Sequence, residues 1–327
     1  MQTSELDFQY PESLVALAPK EPCRILYGNS PEGPAEISRD QLFNLFKPGD
    51  LLVRNNTLVE KRRVFSEQGL EILFLEQLDS KTWSVLYPAR GMKLGDEMKL
   101  PLEVTATLKE KGLPQTLELS HEIDEVYFKE VGELALPPYI QKARELRHNR
   151  EEDADWYQTD WAKENGSVAS PTASLHFKEE DFDQLKSRGV DVKEVTLHVG
   201  IGTFLPVRSD DLNEHEMHSE RLEVPSETRE AVRKCKDSGG RVWALGSTVV
   251  RALESDNDSG ETELFIQPGY DWKVVNGLLT NFHQPKTTLL AMVSAFSGLD
   301  EMKKAYEHAV KNEFRLFSYG DLSVWTR

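Results

Sequence analysis

The chain has 327 residues, with 39 Lys and Arg against 56 Asp and Glu, for a formal net charge of −17. Hydrophobic residues make up 39%, with six Trp and fourteen Phe, which supplies a packed core and argues against global disorder. Two widely separated cysteines, Cys23 and Cys235, exclude a disulfide scaffold or a multi-cysteine metal site and fit a reducing cytosol. The longest apolar run, Thr288 to Phe296, is about half of the ~18–20 residues that span a bilayer. The first eight residues carry neither a basic nor an apolar stretch, so no signal peptide, no membrane partner and a cytoplasmic location are expected.

Residues 1–60 read as a short α/β entry: a helix near Arg39 to Phe46, a Lys47-Pro48-Gly49-Asp50 turn, then the strand Leu51-Leu52-Val53. From Val64 to Phe128 short β-rich runs (Leu70 to Leu75, Trp83 to Leu86, Leu102 to Leu108, Val126 to Phe128) alternate with turns, the pattern of a small β-barrel or sandwich. Leu136-Pro137-Pro138-Tyr139 ends it, because two prolines stop ladder pairing. Beyond Glu151 helices and strands alternate again. Helices are expected at Glu179 to Arg188, Ser226 to Ser238 with Ser226 as N-cap, Thr288 to Phe296 and Glu301 to Lys311. Strands are expected at Val190 to Val199, Arg241 to Leu245, Leu264 to Ile266, Val274 to Thr280 and within Phe314 to Trp325. The expected architecture is a layered α/β main domain from residues 1–60 and 150–327, carrying an inserted small β-barrel domain at 61–149.

Net charge argues against a general nucleic-acid binder, since phosphate contacts need Lys and Arg. The acidity is concentrated in residues 150–260, which hold 14 basic and 24 acidic residues. Basic clusters at Lys61-Arg62-Arg63, at Lys142, Arg144, Arg147 and Arg150, and at Lys303, Lys304, Lys311 and Arg315 leave room for an RNA that docks on a local face.

Polar residues gather just after expected strands, where open α/β sheets place their ligands. Gly200-Ile201-Gly202 has Leu205 where a dinucleotide fingerprint needs its third glycine. His215 and His218 are three apart, not the four of a zincin helix, so no metal site is expected. Gly246-Ser247 does not form a hydrolase elbow, and both cysteines read as packing residues. The remaining His, Asn, Thr, Arg and Tyr suit binding a polar substrate and moving protons at it.

In chain order, Pro48 to Val53 with Asn55-Asn56-Thr57, Leu136 to Ile140, Tyr157-Gln158-Thr159, Pro171-Thr172-Ala173 with Leu175-His176-Phe177, and Thr196 to Gly200 with Gly202-Thr203-Phe204 form one set. Met217 to Glu220, Leu278 to His283, Val293 to Phe296 and Phe317 to Asp321 complete it. Together they resemble the S-adenosylmethionine:tRNA ribosyltransferase-isomerases of queuosine biosynthesis (the QueA family). The resemblance implies a two-domain fold with an inserted β-barrel. It implies transfer of the ribosyl part of S-adenosylmethionine onto 7-aminomethyl-7-deazaguanine at the wobble position of tRNA, giving epoxyqueuosine, adenine and methionine. S-adenosylmethionine is then a consumed co-substrate, no cofactor is implied, and a monomer is expected.

On this footing His176 and His198 are the candidates for proton transfer, with His218 and His283 as second choices. Asn55, Asn56, Thr57, Thr172, Thr203, Ser247, Thr248 and Asn281 are candidates for ribose or base contacts. Arg63 and Arg251 are candidates for a carboxylate or phosphate, and Tyr319 and Asp321 for orienting the ribose or a histidine. Leu58 stands where the family usually has a basic residue, and Ser174 where it has glycine. Two alternatives stay open: a non-catalytic relative that binds tRNA or a nucleotide, and an S-adenosylmethionine-consuming enzyme with another acceptor.

Overall fold

The computed structural model describes residues 1–200, 207 and 209–327. Nine strands form a mixed sheet in the spatial order Ser259–Thr262, Glu220–Glu223, Asp191–Leu197, Leu51–Asn55, Val242–Leu245, Gly277–Asn281, Leu322–Thr326, Ile25–Tyr27 and Ala35–Ile37. The four from Asp191–Leu197 to Gly277–Asn281 run parallel, so their carboxyl ends form one crest. Side chains alternate along these strands: Leu51, Val53, Ala244 and Leu278 enter one core, while Leu52, Trp243, Leu245 and Leu279 enter the other. Helices Ser226–Asp237, Ser247–Glu254, Thr288–Ser297 and Leu299–Lys311 contribute to the first core, and Arg39–Leu45 and Glu179–Ser187 to the second. Buried on both faces, the central strands read as near-continuous apolar runs.

At the opposite, amino-terminal edge, the buried Asp50 gathers the loops. Its carboxylate accepts from Arg241 N at 2.9 Å, Lys47 N at 3.1 Å and Trp243 Nε1 at 2.9 Å. Trp243 in turn lies flat against Gly277, where a Cβ would fall 2.2 Å from the indole ring.

Six antiparallel strands between Arg63 and Leu119 form a second, curled sheet. A backbone bond from Glu67 N to the Lys99 carbonyl at 2.9 Å brings its two edges together, so the sheet curls into a half-barrel consistent with a small barrel. Its own core centres on Phe74, Trp83 and Phe128, packed edge to face with centroids 5.3 to 5.5 Å apart. The chain is thus α/β with an inserted small β-barrel, as the sequence implied.

Several local expectations are corrected. Val126 to Phe128 is not a strand but part of the helix Glu125–Val131. Asp124 caps it, accepting from Val126 N at 2.9 Å and Tyr127 N at 3.1 Å, and this overrides the β preference of the apolar residues. Leu264 to Ile266 is irregular, and the strand there is Ser259–Thr262. Leu264 bonds to side chains instead of a ladder: its carbonyl accepts from Arg251 Nε at 3.1 Å, and its N–H donates to Thr262 Oγ1 at 3.2 Å. Ser226 is the first helical residue and Pro225 the cap. Within Phe314 to Trp325, only residues from Leu322 on are strand.

His176 and His283 are half-buried near the crest. Burial pushes His283 down from 6.5 to about 4. Burial, aided by Arg39 and Arg315, pushes His176 from 6.5 down to about 3. Below pH 6.5 the unfolded chain therefore binds protons that the folded chain refuses, and stability falls with pH.

Two outcomes follow. Gly277→Ala drives a methyl group into Trp243 and lowers unfolding stability by about 1–3 kcal/mol in urea titration; unchanged stability would contradict the close packing. Between pH 7.5 and 5 the wild type loses stability, and the His176→Gln, His283→Gln double variant loses measurably less over the same interval; equal slopes would contradict the lowered histidine pKa values.

Candidate active site at the strand crest

The pocket at the crest has an empty volume of about 1070 Å³, open mouth included. Its walls come mainly from the Ala169–Ala173 turn, the start of helix Ser247–Glu254, the end of strand Gly277–Asn281 with the segment after it, and Phe317-Ser318, with further residues such as Tyr139, Tyr157 and Glu220 from other segments. Crossing from strand to helix there requires Gly246 at φ +97°, a left-handed geometry that glycine adopts without a Cβ penalty.

Of the sequence candidates, Thr172, Ser247, Thr248, Arg251, Asn281 and His283 line this pocket. Thr172 Oγ1 donates to Asn281 Oδ1 at 2.8 Å, and Asn281 Nδ2 donates to His176 Nε2 at 3.2 Å. His176 Nε2 is therefore an acceptor without a proton, and His176 orients Asn281 from behind the wall. Its low pKa keeps it neutral in this role. His283 Nε2 bonds Thr280 Oγ1 at 2.9 Å, and its backbone N–H is held by Tyr306 OH at 2.9 Å.

Asn55 lies behind Thr248, to which its Nδ2 donates at 3.1 Å. Asn56 accepts from Thr196 Oγ1 at 2.7 Å. Thr57 Oγ1 bonds His198 Nδ1 at 2.8 Å, outside the pocket lining, and burial lowers the pKa of His198 with help from Arg221. His218 is half-buried next to the lining residue Met217. Thr203 lies outside the described residues.

The remaining candidates bond within the protein. Arg63 is buried in the barrel, paired with Glu133 at 2.8 Å. Tyr319 donates to Asp153 Oδ1 at 3.2 Å, beside the buried Arg144–Asp153 pair at 2.6 Å. Asp321 accepts from Arg24 N at 3.1 Å and Arg315 N at 2.7 Å. The basic clusters are depleted in the same way: Arg62 pairs with Glu60 and Glu125, and Arg144 with Asp153.

The structure adds lining residues that sequence reasoning did not select. Glu220 is buried, pairs with Arg251, and accepts from Gly200 N at 3.0 Å. Burial raises its pKa against the opposing pull of Arg251. Tyr139 and Tyr157 also line the pocket, with Tyr139 OH 2.5 Å from Ser318 Oγ. Burial holds the Tyr139 phenol at about 12, so it is protonated and can donate. Ser174 is fully buried in the turn Thr172–His176 and does not have positive φ, so its side chain adds no backbone strain there.

Among the described residues the pocket thus offers phenol, hydroxyl and amide groups, a neutral imidazole and the Glu220–Arg251 ion pair. That set can hold a nucleoside and exchange protons with it. No helix among the described residues is long and apolar enough to cross a membrane.

The chain is similar over 98% of its length to the crystal structure of S-adenosylmethionine tRNA ribosyltransferase from Thermotoga maritima. The identity is 30%, all of that chain is covered, and the TM-score is 0.55. Residues 3–324 match the family described as Queuosine biosynthesis protein. With nearly its whole length matched, the chain belongs to the queuosine biosynthesis protein family.

Proposed function

We propose that the protein transfers the ribosyl moiety of S-adenosylmethionine to the aminomethyl group of 7-aminomethyl-7-deazaguanine at the wobble position of tRNA. The ribosyl is isomerised to an epoxycyclopentanediol, giving epoxyqueuosine and releasing adenine and methionine. The family match over residues 3–324 carries this reading, and the crest pocket supplies groups suited to it.

The sulfonium acidifies the 5′-carbon, so a modest base suffices to remove its proton. Adenine leaves more readily once protonated, and the attacking amine must be neutral. No net oxidation occurs: the carbon–sulfur and glycosidic bonds break, the ribosyl carbons re-bond, and the amine nitrogen gains a carbon and gives up a proton. In our reading, Asn281, Thr172, Ser247 and Thr248 hold the ribose and adenine. His283 faces the reacting atoms and relays protons. His176 orients Asn281 without exchanging protons itself. The chain acts as a monomer in the cytoplasm on S-adenosylmethionine and tRNA, with no further cofactor.

Adenine release tests this. The purified protein is given S-adenosylmethionine with tRNA carrying the deazaguanine, with tRNA lacking it, or with no tRNA. Adenine in the first case alone, with the matching mass gain on the tRNA, is the expected result. Adenine without tRNA would indicate another acceptor, and tRNA binding without adenine in any case would indicate a non-catalytic protein. His283→Gln is expected to cut turnover by ~10²–10⁴ while S-adenosylmethionine still binds; undiminished turnover would remove His283 from the mechanism. Because burial holds His283 near 4, its protonation adds no acid limb to the wild-type rate profile between pH 5 and 8.

A further inference from the structure

Among the described residues that line the pocket, Glu220 is the one carboxylate. It is only 6% exposed. One carboxylate oxygen accepts the Gly200 N–H at 3.0 Å and the other meets Arg251 Nη1, which leaves each oxygen a second lone pair. Arg251 is held the other way. Its Nε and Nη2 donate to the Leu264 and Thr262 carbonyls at 3.1 and 3.2 Å, and neither of those residues lines the pocket. The imidazole of His283 is neutral near pH 7 and adds no cation. A buried carboxylate, ion-paired with Arg251, therefore sits in the wall, and that guanidinium is the one other charged side chain among the described lining residues.

A sulfonium has no N–H or O–H to donate. A protein tells it from a neutral thioether by its charge, through the faces of aromatic rings or the field of an anion, and a carboxylate's field is strong where water is excluded. We propose that Glu220 is the specificity-determining residue that recognises the sulfonium charge of S-adenosylmethionine, an assignment that rests on the function proposed above. Arg251 is its positioning partner: it holds the carboxylate in place through Nη1 while its Nε and Nη2 engage backbone carbonyls. The same contact favours release, because methionine leaves as a neutral thioether and the attraction to Glu220 ends with the reaction.

Calorimetric titration of the full chain with S-adenosylmethionine and with S-adenosylhomocysteine, its neutral thioether counterpart, tests the assignment. The wild type is expected to bind the sulfonium about tenfold or more tightly. Glu220→Gln is expected to bring the two affinities within about threefold, and Glu220→Asp to restore the preference. Since Glu220→Gln strands Arg251 without its partner, the Glu220→Gln, Arg251→Met double variant is measured as well, with near-ultraviolet circular dichroism as the check of folding; it too should lose the preference. Equal affinity of the wild type for both ligands overturns the assignment, as does a folded variant lacking the carboxylate that keeps the wild-type ratio. A wild type that binds neither ligand overturns the proposed function itself, a result distinct from the loss of discrimination alone.

Discussion

The crest depends on one side chain. Asn55 has no exposed surface and sits where the ladder between Leu51–Asn55 and Asp191–Leu197 runs out. Its Oδ1 accepts from the N–H groups of Thr57 and Leu197 at 3.1 Å each, and its Nδ2 donates to the Leu197 carbonyl at 2.9 Å and to Thr248 Oγ1 at 3.1 Å. A carboxamide has two donors and two acceptor lone pairs, and all four are used. The side chain thus satisfies both backbone groups of Leu197 beyond the last backbone pair, and ties the strand to helix Ser247–Glu254. Aspartate is close to the same size but offers no donors, so it would face the Leu197 carbonyl with nothing to give it. Thr248 and Val199 line the pocket because this amide fixes the elements that carry them.

The same economy governs the charges. Arg54 meets Glu179 and Glu194 while its guanidinium lies over Trp161 and Phe182. Glu254, 1% exposed, accepts from three consecutive N–H groups, Lys273 to Val275, at 2.8 to 2.9 Å. Such buried ions are costly alone and are kept because each is multiply bonded. In a chain of −17 this draws cations inward. Arg63, Arg144 and Arg251, which in the sequence look available for an anion, each meet a carboxylate of the same chain.

That explains how far the sequence could be read. The alternation of strands and helices was legible because buried parallel strands are apolar throughout and their turns need Gly, Pro or Asp. The placement of Ser247, Thr248, Asn281 and His283 was legible because parallel strands converge at their carboxyl ends, so polar residues just beyond different strands meet. Whether a polar residue serves a ligand or its own backbone was not legible. Asn55 and Asn281 both end a parallel strand, yet the side chain of one is fully engaged by the scaffold and that of the other lines the pocket. The difference lies in partners more than a hundred residues away, Leu197 for one and His176 and Thr172 for the other. Glu220 was passed over for a related reason: its meaning depends on Arg251, 31 residues on, and on the pocket that the pair adjoins.

Neutrality is what links fold to chemistry here. Burial near the crest makes His176 and His283 poor proton acceptors at neutral pH, and makes Tyr139 reluctant to ionise. Among the described lining residues the titratable groups other than the Glu220–Arg251 pair keep their neutral forms, so the charge of a cationic nucleoside is left to that pair and to the aromatic faces. The pocket also suits an amine that must attack unprotonated, because burial among groups in their neutral forms disfavours the ammonium form. The burial that costs the protein stability in acid is thus the same burial that would let one anion discriminate and one neutral imidazole exchange protons.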